Sequence, residues 1–165
     1  MGVRDVIQYP DPRLKATCRA VEPGEDVSGL VADLVDTMRA HPGCVGVAAP
    51  QLGELLRVVV VDVAGHRKAD TDHGLLVLCN PRIAAGDGSV VTREGCLSIP
   101  DFTGNVQRVE QVTVEATAPD GTPTSVTSNA YEARVILHEL DHLDGILFLD
   151  RVASARDVFP RRRYR

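Results

Sequence analysis

His138-Glu139-Leu140-Asp141-His142 places two imidazoles one helical turn apart, with a carboxylate beside the first of them. On an α-helix, residues four apart share a face, with Cβ atoms roughly 5–6 Å apart. Both rings can therefore reach one metal ion. Glu139 can reach a water on that ion, and the chemistry indicated is metal-assisted hydrolysis. The motif needs a helix, and its flanks supply one. Ser128 and Asn129 are good N-cap residues, and Glu132 stands three positions after Asn129, as in a capping box. No Gly or Pro falls between Ala130 and Leu143, and Asp144-Gly145 ends the run. Val135, Ile136, Leu140 and Leu143 predict a helix buried on most sides, where polar groups must find partners. The plainer alternative is two satisfied core histidines beside an unrelated Glu, and it gives the motif no chemistry.

Upstream of this helix the sequence reads mainly as strands. Asp26-Val27-Ser28 opens a helix whose apolar face is Leu30, Val31, Leu34, Val35 and Met38, ending before His41-Pro42-Gly43. Leu56 to Val63 is a β-branched run expected to be a buried strand, and Leu75 to Cys79 a second. The polar stretch from Ala64 to Gly74 joins them, with His66 and His73 expected as solvated loop residues. Val90-Val91-Thr92 leads toward a turn at Cys96. Val112 to Thr117 is a strand, and Pro119 to Thr122 turns it into Ser125-Val126-Thr127. Strands first and the motif helix late predict an α+β fold of mainly antiparallel β-sheets packed around that central helix.

Two histidines rarely hold a catalytic metal alone. Thermolysin-like proteases add a downstream Glu and metzincins a third His; here no Glu follows Glu139 and no His follows His142. Asp144, Asp150 and Asp157 remain available as carboxylate ligands, which weakens a protease without excluding it. Upstream, Glu94-Gly95-Cys96-Leu97-Ser98 offers Cys96 at an exposed turn or strand end rather than a packed core position. A thiolate with two imidazoles suits Zn²⁺ or Fe²⁺ and leaves a position open for water. A third segment, Cys44-Val45-Gly46-Val47-Ala48-Ala49-Pro50-Gln51, is small and apolar with one amide, Gln51. Small residues permit close backbone approach, and an amide N–H can stabilise a developing oxyanion. Alone, the segment is also an ordinary loop between a helix and a strand.

Together the three segments resemble the peptide deformylase family, whose motifs G-Φ-G-Φ-A-A-x-Q, E-G-C-Φ-S and H-E-Φ-D-H occur in this order. Here they run from Cys44 to Gln51, from Glu94 to Ser98 and from His138 to His142; Tyr9-Pro10-Asp11-Pro12-Arg13-Leu14 also looks like the family's opening. The resemblance covers nearly the whole chain and implies one catalytic domain over residues 1–165 that removes the formyl group from formylmethionine of nascent polypeptides. It implies that Cys96, His138 and His142 hold one divalent metal, Fe²⁺ first and Zn²⁺, Ni²⁺ or Co²⁺ otherwise. Glu139 would be general base and acid. The Gln51 amide and the Leu97 backbone N–H would form the oxyanion hole. Backbone around Val45, Gly46 and Gly95 would pair with the substrate as an added strand.

Three positions depart from the pattern. Cys44 replaces the first motif Gly, so a left-handed backbone there would be strained. Leu137 precedes His138 where many relatives carry Gln, and Thr103 stands where relatives often have Arg, removing a substrate-side charge. The chain of 165 residues suits one domain with a real core. A net charge of −5 and the absence of Trp give no case for specific nucleic-acid binding. Cys18, Cys44, Cys79 and Cys96 lack a framework spacing, and there is no signal peptide or long apolar run. The expectation is a reduced, cytoplasmic monomer without a membrane anchor; Val6 removes the myristoylation pattern that Met1-Gly2 would open. Arg161-Arg162-Arg163-Tyr164-Arg165 is a basic tail, either solvated or in contact with the ribosome. Two competing functions stay open: a metallopeptidase, which loss of metal on Cys96→Ser would disfavour in its carboxylate-ligand form, and a non-catalytic binder of formylated N-termini, against which intact Glu139 and Gln51 speak.

Overall fold

Four consecutive valines, Val58–Val61, form a strand with no solvent exposure on either face. In an antiparallel sheet such a run requires cover on both sides, and two helices provide it. The computed structural model describes residues 2–161; residues 162–165, which hold most of the basic tail, lie outside the described residues. Helix α1 (Ser28–Ala40) lays Leu34 and Met38 against Val58 and Val60. Helix α2 (Ala130–Leu143) lays Ala133, Ile136 and Leu140 against Val59 and Val61 on the opposite face.

The valine strand is β2 of a five-stranded sheet. Its other members are β1 (Gly46–Ala48), β3 (Leu76–Asp87), β6 (Gln111–Thr117) and β7 (Pro123–Asn129). The order is β1-β2-β3-β6-β7 and every pairing is antiparallel. Val112, Val114 and Ala116 alternate inward along β6, the period-two pattern of a half-buried strand. A second sheet contains β4 (Val90–Cys96), β5 (Ile99–Arg108) and β8 (Val158–Pro160), in that order and again antiparallel. It packs Cys96, Ile99 and Val106 with Leu14, Leu147 and Phe148. The architecture is the α+β arrangement of mainly antiparallel sheets that was expected.

Several details differ from the sequence expectations. The strand beginning near Leu75 runs on to Asp87, passing Pro81 through an irregularity between Cys79 and Arg82. A proline cannot donate to the ladder, so the strand bulges there; Asn80 takes φ 49° and bonds both the N–H and the carbonyl of Val21. Strands β5 and β8 carry Pro, Gly and polar residues and give no periodic signal. The capping box does not form. Asn129 occupies the N-cap, but its side chain accepts from the Thr71 N–H and donates to Asp70. Glu132 turns away to accept from the Ser128 hydroxyl, the His73 N–H and the His73 ring. His73 therefore ties its loop to α2, and His66 stacks on Tyr131 at 4.2 Å, so neither is simply solvated. At Cys44 the expected strain is absent, because Gly43 takes the left-handed backbone (φ 78°) and Cys44 does not.

Candidate metal centre and active site

Helix α2 carries His138 and His142 on one buried face, their ring centroids 5.1 Å apart. Strand β4 ends beside them with Cys96, buried rather than exposed, followed by the two-residue turn Leu97-Ser98 into β5. The ligand atoms of Cys96, His138 and His142 all lie within 4.8 Å of one another. Cys96 Sγ is 3.4 Å from His142 Nε2. Burial opposes ionisation of the Cys96 thiol, but the two imidazoles outweigh it and hold its pKa well below the ordinary value. A thiolate and two imidazoles in this arrangement fit a divalent, borderline-soft metal. The buried Glu139 Oε1 has no hydrogen-bond partner among the described residues, and it marks a site whose polar groups need an occupant. Asp144 and Asp150 are engaged by Arg57 and Lys15, and Asp157 by Asn105. Among the described residues the metal-holding group is the Cys and the two His, so the carboxylate-ligand alternative is not realised.

Glu139 is buried. Burial raises its pKa to about 7, against the opposing pull of His138 and His142; a dication beside it would draw that value down again. Its carboxylate stands against Gly46, where an added Cβ would lie 2.8 Å from Oε2 and 3.0 Å from Val135 Cγ1. The glycine is therefore required by a close approach.

Gln51 lies in a 3₁₀ turn at Ala49–Leu52 that follows β1. Its Oε1 accepts from the Ala48 N–H at 3.0 Å, which fixes the amide orientation. Nε2 donates to Ser98 Oγ at 3.1 Å and faces Cys96 Sγ at 3.5 Å. The N-terminal segment straps this arrangement in place, with Ile7 N–H on the Gln51 carbonyl and Tyr9 N–H on that of Ser98. The amide is thus held in one orientation beside Cys96. If that amide serves as an oxyanion donor, Gln51→Ala lowers turnover by about 10²–10³ with metal content unchanged, measured as rate against metal per chain.

A cavity of ≈ 500 Å³ opens over these groups. It lies between β1 and β4, each the edge strand of its own sheet. Val45 and Gly46 line one wall, Gly95, Cys96 and Leu97 the other, and His138 and Glu139 the floor. Exposed strand edges are templates for an added strand. All nine residues singled out from sequence converge here, with only His142 lying behind the cavity surface.

A network behind the ligands was not read from sequence. Glu94 Oε1 accepts from His138 Nδ1 at 2.9 Å, leaving Nε2 of that ring for a metal. Arg108 grips Glu94 through Nε and a terminal nitrogen, at 2.5 and 2.8 Å, and bonds Asp141 at 2.9 Å. Arg151 closes the chain on Asp141 at 2.5 and 2.8 Å. Burial opposes ionisation of Glu94, yet Arg108 and His138 outweigh it and bring its pKa down to about 2. The carboxylates inside the two motifs, Glu94 and Asp141, were the available signal; nothing local marked Arg108.

The family model described as polypeptide deformylase matches residues 3–158. Peptide deformylase from Thermomicrobium roseum is 45% identical over 92% of this chain and 87% of its own. That from Syntrophobacter fumaroxidans is 38% identical over 98% and 94%. The crystal structure of a peptide deformylase from Legionella pneumophila superposes with a TM-score of 0.83 at 37% identity, covering 92% of this chain and 87% of that one. Matches of this extent span both sheets, α2 and all three motifs, and the chain accordingly belongs to the peptide deformylase family.

Proposed function

We propose that Cys96, His138 and His142 hold one divalent metal ion and that Glu139, Gln51 and the Leu97 N–H carry out deformylation beside it. The activity of a peptide deformylase is hydrolysis of the N-formyl group of formylmethionine on nascent polypeptides, releasing formate. The observation that carries the residue assignment is the buried Glu139 carboxylate, with one oxygen unpartnered, next to a Cys-His-His ligand set in the cavity floor.

When bound, the ion supplies Lewis acidity toward the formyl oxygen and makes its water more acidic. Val45, Gly46 and Gly95 hold the peptide backbone as an added strand and present its formyl end to the floor. Glu139 accepts the proton of the attacking water. Gln51 Nε2 and the Leu97 N–H donate to the formyl oxygen as negative charge develops there. Glu139 returns the proton to the departing amine as the C–N bond breaks, so formate and a free N-terminus are produced.

Fe²⁺ is the metal proposed first, with Zn²⁺, Ni²⁺ or Co²⁺ as substitutes, because the same mixed thiolate–imidazole set accepts all of them. The proposed setting is cytoplasmic, as one catalytic domain acting as a monomer, with the basic tail as a ribosome contact. No helix among the described residues is long and apolar enough to cross a membrane. Chelation of protein purified without oxygen is expected to abolish formate release from a formyl-Met tripeptide, and re-addition of Fe²⁺ to restore it. Full turnover after verified metal loss would overturn the assignment.

A further inference from the structure

The walls of the cavity carry a charge that the reaction does not use. Lys68, Arg93, Arg134 and Arg161 line it from four separate segments, although the chain as a whole has a net charge of −5. The acidic lining residues are Glu94, whose carboxylate is committed to Arg108 and His138, and Glu139 in the floor. None of the four cations pairs with a carboxylate among the described residues. Arg93 lies over the Phe159 ring at 3.7 Å and bonds Asn105, and Arg134 stands 5.7 Å from the Tyr131 ring. The Arg93 and Arg134 guanidinium groups are thus positioned by aromatic and amide contacts, and their charge is left for a ligand.

Arg161 is the most closely placed of them. Thr103 pairs with Phe159 and Phe102 with Pro160, and the Arg161 N–H continues that ladder onto the Asp101 carbonyl at 2.8 Å. Alternation along the strands then puts Arg161 on the same sheet face as Phe159, Thr103 and Gly95. Its guanidinium rests directly on Gly95, where an added Cβ would overlap it, and the short Thr103 side chain beside Gly95 leaves that space open. Asp101, opposite Arg161 in register, does not line the cavity. A peptide strand laid along Gly95 would run beneath this guanidinium.

We propose that the site selects formylated peptides carrying Asp or Glu shortly after the formylmethionine, with Arg161 as the specificity-determining residue. A guanidinium offers a planar fork of donors that matches a carboxylate in two-point geometry. The surrounding cations repel Lys or Arg at the same positions and raise the local concentration of acidic peptides. The proposal rests on the deformylase reading.

The test is kcat/KM for formyl-Met-Ala-Ala-Ala and for variants with one Glu or one Lys at the second, third or fourth residue, using metal-loaded protein. Glu is expected to be favoured over Lys by about tenfold at one position of the series at low salt. The gap should shrink toward unity near 1 M salt, where screening acts over about 3 Å. Arg161→Gln should remove most of that peak, and Arg161→Lys should keep part of it. A wild-type Glu-to-Lys ratio near one at every position, or a peak unchanged in Arg161→Gln, would overturn the proposal alone. No turnover of any peptide in the series would overturn it together with the deformylase reading.

Discussion

Glu139→Gln is expected to lower formate release by about 10²–10⁴-fold while the protein stays folded and metallated. Glutamine has nearly the same shape, so the packing against Gly46 persists. In the mechanism proposed above, what disappears is the ability to take a proton from water and return it to the amine. The change also removes a buried charge that no hydrogen bond satisfies at Oε1, so stability should hold or rise. The measurement is single-turnover formate release beside metal content and a denaturation midpoint. Retention of more than about one tenth of the rate would show that another group moves the proton.

Arg108→Met is expected to have the largest effect on stability. The Arg108 side chain is 4% exposed and is shared between two buried carboxylates, Glu94 and Asp141. Among the described residues, removing it leaves Glu94 with only His138, and Asp141 with only Arg151, whose side chain is 41% exposed. Breaking a buried pair by deleting one partner costs about 3–5 kcal/mol, whereas Arg151→Met should cost about 1 kcal/mol. Because Glu94 orients His138, Arg108→Met should also weaken metal affinity by about 10–100-fold. Denaturant titrations with and without metal separate the two effects.

The same network has a pH signature. Glu94 has a folded pKa of about 2 against an ordinary value of 4.5. A depressed carboxylate contributes stability that is fully present above the higher value and lost as pH falls through the lower one. The wild-type denaturation midpoint should therefore fall between about pH 4.5 and pH 2. In Arg108→Met, where the pKa of Glu94 returns toward its ordinary value, that slope should flatten.

Helix α2 was legible because everything that defines it is local. The run from Ala130 to Leu143 lacks breakers, spaces its apolar residues for one face and ends at Gly145. The valine strand and β6 were legible for the same reason: β-branched content and alternation leave a mark within a few residues. The four-residue extent of β2 and its cover by two helices were not, since burial on both faces depends on what packs there. Strand β5 escaped notice because its ladder is set by pairing with β4 and β8, while Pro100 and Gly104 weaken any signal of its own. Glu132 illustrates the same limit in reverse. Its spacing from Asn129 fits a capping box, but the loop bearing His73 supplied a closer partner.

By itself, the sequence determined the helix spacing of His138 and His142, the carboxylate between them and the family. These follow from residue chemistry and from distances of a few residues along the chain. Only the tertiary structure decided that Gln51 is fixed between Ala48, Ser98 and Cys96, that Gly46 must be small because Glu139 packs on it, and that Arg108 secures Glu94 and Asp141 from the far end of β5. It also decided that Arg161 stands over Gly95. Each of these is a contact between residues remote in sequence, set by sheet register and by the need to partner every buried charge, and neither leaves a local periodicity to read.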